Sequence, residues 1–144
     1  MHAQDLTDAD YRALAGFRHQ LRRFIAFSET AARAVGLEPR QHQVLLALRG
    51  LPEGTEPSVQ ALAERMVLRH HTVVELLDRL EAAKLIRRGR TVEDRRRSHI
   101  AVTSQGNELL RRLSAVHLDE LHSLAPSLVG ALNGALRASR RRKP

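Results

Sequence analysis

The sequence contains no cysteine and no tryptophan, and only one tyrosine and three phenylalanines. Without cysteine there is no disulfide, no thiol redox switch and no cysteine-ligated zinc site. With 3% aromatic residues, a core must be built from Leu, Val, Ala and Ile, as in small helical folds. No apolar run approaches the roughly 20 residues needed to span a bilayer. The segment Met1 to Ala15 is polar, carries Asp5, Asp8 and Asp10, and lacks the apolar stretch of a signal peptide, so a cytoplasmic protein is expected. There is no Gly-rich phosphate loop, no Gly-x-Ser-x-Gly and no isolated carboxylate pair in an apolar setting. The expectation is a protein that is not an enzyme and uses no cofactor. Lysine is nearly absent too, limited to Lys84 and Lys143.

The positive charge is therefore almost entirely arginine, with a formal net charge of +8. Such a balance points to a polyanionic partner, nucleic acid or an anionic membrane. Arginine forms bidentate bonds to phosphate and to guanine edges, which favours nucleic acid. The length suits one domain, and 42% hydrophobic content is enough for a packed core.

Apolar residues at Leu14, Phe17, Leu21, Phe24, Ile25, Ala31, Ala32 and Val35 recur in steps of three and four. They predict a first helix from Asp8 to Val35, with acidic residues at its start and Gly36 as its stop. A helix that long exceeds what one small domain needs, so part of it is expected to pack on another chain. Pro39 opens a second helix with Val44, Leu45, Leu46 and Leu48 apolar. Gly50, Pro52, Gly54 and Pro57 mark a loop. Ser58 caps a short third helix, Val59 to Met66, and a turn at Val67 to Arg69 leads to a fourth, His70 to Ala83. Two short helices so spaced predict a helix-turn-helix.

The period then changes. Leu85 to Arg90 and Ser98 to Val102 read as strands of a hairpin, with an arginine-rich connection between them. Two strands this short need the helices for support. Thr103 or Ser104 caps a fifth helix, with Leu109, Leu110, Leu113, Val116, Leu121 and Leu124 apolar. Pro126 is expected to break or kink it, leaving a last helix from Ser127 to Ala138 with Leu128, Val129, Leu132 and Leu136 on one face.

The order of elements, with the stretches Ser58 to Arg65, Thr72 to Glu81 and Asp94 to Gly106, resembles the MarR family of bacterial transcription regulators. The most specific match is Asp94-Arg95-Arg96-Arg97-Ser98-His99-Ile100-Ala101-Val102-Thr103-Ser104-Gln105-Gly106, which is similar to the family's wing signature. Two departures stand out: Lys84 occupies a position that is usually glycine, and Val67-Leu68 replace the usual small residue of the turn. The resemblance implies a mainly α fold with a small β-hairpin wing: a winged helix-turn-helix domain plus a helical dimerisation region. In this reading residues 1–144 are one domain, with 1–36 and 104–139 for dimerisation, 39–103 as the DNA-binding lobe and 140–144 as a basic tail.

The implied function is a homodimeric, sequence-specific regulator of double-stranded DNA, a repressor released by a small aromatic or anionic effector. The expected DNA contacts are Arg69, His70, His71, Thr72 and Glu75 on the recognition helix, facing major-groove edges. Ser58 and Gln60 would hold a phosphate at the third helix's start. Arg90, Asp94, Arg95, Arg96 and Arg97 lie on the wing. By the resemblance, Arg96 enters the minor groove and Asp94 orients it. Asp78 and Arg79 are expected to pair within the domain. His19, Arg23 and His42 are candidate effector-pocket residues. No metal site is expected: His70 and His71 point about 100° apart on a helix, and Asp119 with His122 is a lone pair. The alternatives are a nonspecific architectural nucleic-acid binder and a winged-helix adaptor that binds protein.

Overall fold

Thr7 opens the first helix. Its amide and hydroxyl donate to the Asp10 carboxylate at 2.9 and 2.8 Å, and its hydroxyl oxygen accepts from the Asp10 amide at 3.3 Å. These reciprocal bonds satisfy donors that the first turn would otherwise leave open. The computed structural model describes residues 6–89, 91–93 and 99–140. Along it run α1 (Asp8–Ala34), α2 (Pro39–Arg49), α3 (Val59–Met66), α4 (His70–Ala82), β1 (Ile86–Arg88), β2 (Ile100–Val102) and α5 (Ser104–Arg140). The fold is thus mainly α with one antiparallel hairpin, in which Ile86 faces Val102, Arg87 faces Ala101 and Arg88 faces Ile100.

The break expected at Pro126 does not occur: α5 is one helix of 37 residues. Proline removes a single hydrogen bond, the one to the carbonyl four residues earlier. Here that carbonyl belongs to His122. Both residues are exposed, so water can satisfy the group, and long helical runs continue on either side.

The chain divides into two compact units, Met1–Thr30 with Ala115–Pro144, and Ala31–Ser114. The central unit, Ala31–Ser114, contains a continuous core. Leu45, Leu62, Leu77, Leu80 and Ile86 are fully buried, and Val44 and Val73 join them. α2, α3 and α4 pack on one another, and the hairpin leans on α4 and α2. Ile86 and Ile100 provide its anchors. Leu46, expected on the apolar face of α2, is instead 43% exposed.

Three helices of this unit end in the same way. Beyond α1, Gly36 donates to Arg33 O and Leu37 to Ala32 O. Beyond α3, Val67 donates to Glu64 O and Leu68 to Ala63 O. Beyond α4, Lys84 donates to Glu81 O and Leu85 to Leu80 O. Each is a Schellman-type end that needs one left-handed residue, followed by an apolar side chain returned to the core. The three left-handed residues have φ of 83°, 53° and 62°, but only the first is glycine. Valine is the worst placed, because its branched Cβ crowds the carbonyl in this region. Val67→Gly is expected to raise stability by about 1 kcal/mol, and Lys84→Gly by rather less. Denaturant titration checks both; a loss of stability in either would contradict this account of the helix ends.

Thr103 links three elements. Its amide donates to Leu85 O at 3.0 Å, and its hydroxyl donates to Lys84 O at 2.7 Å while accepting from the Gly106 amide at 3.1 Å. It is therefore the cap of α5 and, together with Leu85, the join between the end of α4 and the end of β2.

The terminal unit is held by a different cluster. His117 Nε2 lies 2.8 Å from Ser28 Oγ, and the imidazole meets Phe24 and Phe27 edge-on at 6.0 and 5.5 Å. Among its described residues, Leu124 and Ala138 are the buried apolar side chains. Tyr11, Leu14, Leu21 and Ile25 on α1, and Leu118, Val129, Leu132 and Leu136 on α5, are all exposed. In each set the spacings of three, four, seven and eleven keep the side chains on one face.

Candidate nucleic-acid interface

The site is built on α3 and α4. Ser58, in extended backbone conformation, caps α3 by accepting from the Ala61 amide at 3.0 Å. Gln60 follows on the exposed side and reaches Glu64 Oε1 at 3.4 Å. The left-handed residue Val67 then turns the chain into α4, whose cap residue Arg69 has φ −71° and ψ 150° and no side-chain cap bond. Burial of Val73, Leu76, Leu77 and Leu80 fixes which side of α4 faces inward. It leaves Arg69, His70, His71 and Glu75 exposed and Thr72 half-buried.

The ionic side chains of the lobe separate into two groups. Toward the C-terminal end of α4 they are engaged. Arg79 donates to Glu38 Oε2 at 2.9 Å. Arg88 bonds Asp78 Oδ1 at 2.6 Å and Glu81 Oε1 at 3.0 Å, and its amide and Nε reach Glu81 Oε2 at 3.1 and 3.3 Å. The hydrogen bonds it donates to Glu81 hold the Arg88 guanidinium above the ordinary arginine value; partial burial opposes this and Asp78 adds to it. The sign is that of a raised cation: its contribution to stability is complete below the ordinary arginine pKa and is lost only above it, so Arg88 stays charged at any working pH. At the other end of α4, Arg65 and Arg69 enter no ion pair among the described residues, and neither does Arg87 on β1.

Asp78 and Arg79 thus pair within the lobe, as the sequence suggested. Arg88, on the strand that leads into the arginine-rich connection, has its charge taken up by α4. Two acids one turn apart on α4, followed by a strand arginine on the same side as buried Ile86, were the available signal. Arg90, Asp94, Arg95, Arg96 and Arg97 lie outside the described residues. The candidate effector residues are not gathered by either unit alone: His19 and Arg23 are exposed on α1 in the terminal unit, while His42 is 1% exposed in the core of the central unit. No group of three or more His, Asp or Glu among the described residues is placed to hold a metal ion, and none of the described helices is long and apolar enough to cross a membrane.

Residues 35–97, which hold this helix-turn-helix and the first wing strand, match the model of the MarR family. The chain is MarR-like. No curated protein matches it, but solved structures share its fold. AbsC, a MarR family transcriptional regulator from Streptomyces coelicolor, is 23% identical with a TM-score of 0.69, over 94% of this chain and 95% of that one. The Staphylococcus aureus MepR–DNA complex is 21% identical with a TM-score of 0.64, over 88% and 91%. The multiple antibiotic-resistance repressor of Listeria monocytogenes is 15% identical with a TM-score of 0.62, over 95% and 94%. The MarR-like fold therefore extends over nearly the whole chain, beyond the matched stretch.

Proposed function

We propose that this MarR-like protein is a homodimeric regulator of transcription that reads double-stranded DNA through α4 and its wing. The observation that carries the reading is the exposed start of α4. There Arg69, His70, His71, Thr72 and Glu75 face solvent wholly or in part, and Arg69 is unpaired among the described residues. A helix offering its first turn in this way suits the major groove. Arg69 supplies a bidentate donor for guanine, and Glu75 an acceptor for cytosine. Ser58 and Gln60 at the start of α3 take a phosphate. Arg90, Arg95, Arg96 and Arg97, with Asp94, supply the wing. MepR has been solved bound to DNA, which supports DNA as the partner of this chain.

The dimer rests on the terminal unit. Two long helices with so few buried apolar side chains and two exposed apolar stripes have little to hold them as a free surface, because helices in proteins draw their stability from a covered apolar face. A second copy of the same unit provides that cover. Repression, and its release by a small aromatic or anionic effector, is the finer part of the proposal. His19, Arg23 and His42 are its candidate residues, and His42 would meet a ligand only if α2 moved.

Arg69→Ala tests the DNA reading. The expected result is an affinity loss of about tenfold or more for a selected duplex, with base preference relaxed at one position of each half-site. Uniform weakening across all sequences would assign Arg69 to phosphate instead. Unchanged binding would remove α4 from the interface and favour a protein-binding adaptor.

A further inference from the structure

The hairpin has only three residues in each strand, too few to hold an orientation by ladder bonds alone. What else fixes it to the recognition helix is side-chain chemistry. In β1, Ile86 and Arg88 share a face and Arg87 takes the other, since side chains alternate along a strand. Arg87 is accordingly exposed, while Arg88 turns with Ile86 toward α4. Ile86 supplies an apolar contact, which has no direction. The guanidinium of Arg88 supplies direction. It binds both oxygens of Glu81 and one oxygen of Asp78, and the Arg88 amide adds a backbone bond to Glu81. Its side chain is only 25% exposed. A planar fork meeting two carboxylates one helical turn apart fixes the strand's angle and position along the helix.

We infer that Arg88 is a positioning residue for DNA recognition: its ion pairs with Asp78 and Glu81 set the wing against α4 so that both engage one duplex in register. The inference rests on the DNA-binding reading above. The chain between β1 and β2 carries Arg90, Arg95, Arg96 and Arg97, and the start of α4 carries Arg69 to Thr72. A major-groove reader and a minor-groove reader add their contacts only at the spacing the duplex imposes. The clamp acts through that spacing and touches no nucleotide itself.

Two charge changes of opposite sign separate this from an ordinary phosphate contact. Arg88→Gln removes a cation. The expected result is about tenfold weaker binding to the selected duplex with an unchanged salt slope, whereas a phosphate contact would lower the slope by about 1. Asp78→Asn combined with Glu81→Gln removes two anions and frees Arg88. General electrostatics alone would tighten binding to every duplex. The clamp predicts equal or tighter binding to random DNA and about tenfold weaker binding to the selected site, so that the specificity ratio falls at least tenfold. Arg88→Lys, which keeps the charge without the fork, is expected to give an intermediate ratio, and it serves if the neutral variants fail to fold. A slope reduced by about 1 in Arg88→Gln, or a wild-type ratio in the double variant or in Arg88→Lys, overturns the inference. If the unsubstituted protein selects no sequence, the DNA reading itself falls. A selected site whose ratio survives every variant removes the clamp alone.

Discussion

Gly106→Ala is expected to lower stability by about 3 kcal/mol or more, a fall of roughly 10 °C in melting temperature for a chain of this size. A Cβ at this position would stand 2.2 Å from the Leu85 carbonyl oxygen and 2.8 Å from Val102 Cγ1. The first of these neighbours is backbone and cannot rotate away. It is also the carbonyl that accepts from Thr103, so any retreat breaks the junction among α4, β2 and α5. The substitution therefore acts on the placement of the wing as well as on overall stability. Gly16→Ala is the control: nothing lies within 4 Å of its added Cβ, and α1 should gain about 0.5–1 kcal/mol from it. Thermal melts of the two variants side by side check the argument. Equal and opposite small shifts would mean that α5 is free to move off Leu85.

Ile25→Glu together with Leu132→Glu is expected to convert a dimer into a monomer. Ile25 and Leu132 are 53% and 41% exposed in the single chain, so neither belongs to the buried core. In a dimer that covers both stripes they bring four unpaired carboxylates into an apolar interface, which desolvation forbids. Sedimentation should show a dimer for the unsubstituted protein and a monomer for the variant at micromolar concentration. Affinity for a two-half-site duplex should fall at least about 100-fold, because linkage of two reading heads is lost. A monomeric unsubstituted protein would contradict the covered-stripe argument, and a dimeric variant would place the interface elsewhere.

The readings that depended on local chemistry were the most legible in the sequence. Ser58 caps α3 and Thr103 caps α5 because a short hydroxyl at a helix start has one good use. The recognition helix, expected over His70 to Ala83, spans His70–Ala82, with Val73, Leu76, Leu77 and Leu80 on its buried side. Lys84 raised the matter of a left-handed residue, and the chain does adopt φ 62° there. Pro126 misled, since local propensity favours a break and a long helix with solvent-exposed carbonyls tolerates one missing bond. The α1 and α5 leucines could be placed on a face by periodicity, but periodicity does not say which molecule covers that face. Arg88 was missed as a structural residue for a related reason. Its sequence neighbours are basic, whereas its partners, Asp78 and Glu81, lie ten and seven residues away on another element.

Whether the protein reads DNA sequence is decided by selection of bound duplexes from a random library, followed by titration of the enriched site and of random DNA at two salt concentrations. The expected result is a near-palindromic site of about 16 to 20 base pairs, with half-sites one helical turn apart, bound about 10³-fold or more tightly than random DNA. Strongly salt-dependent binding with no enriched sequence would contradict it, and would make this MarR-like chain a basic architectural protein.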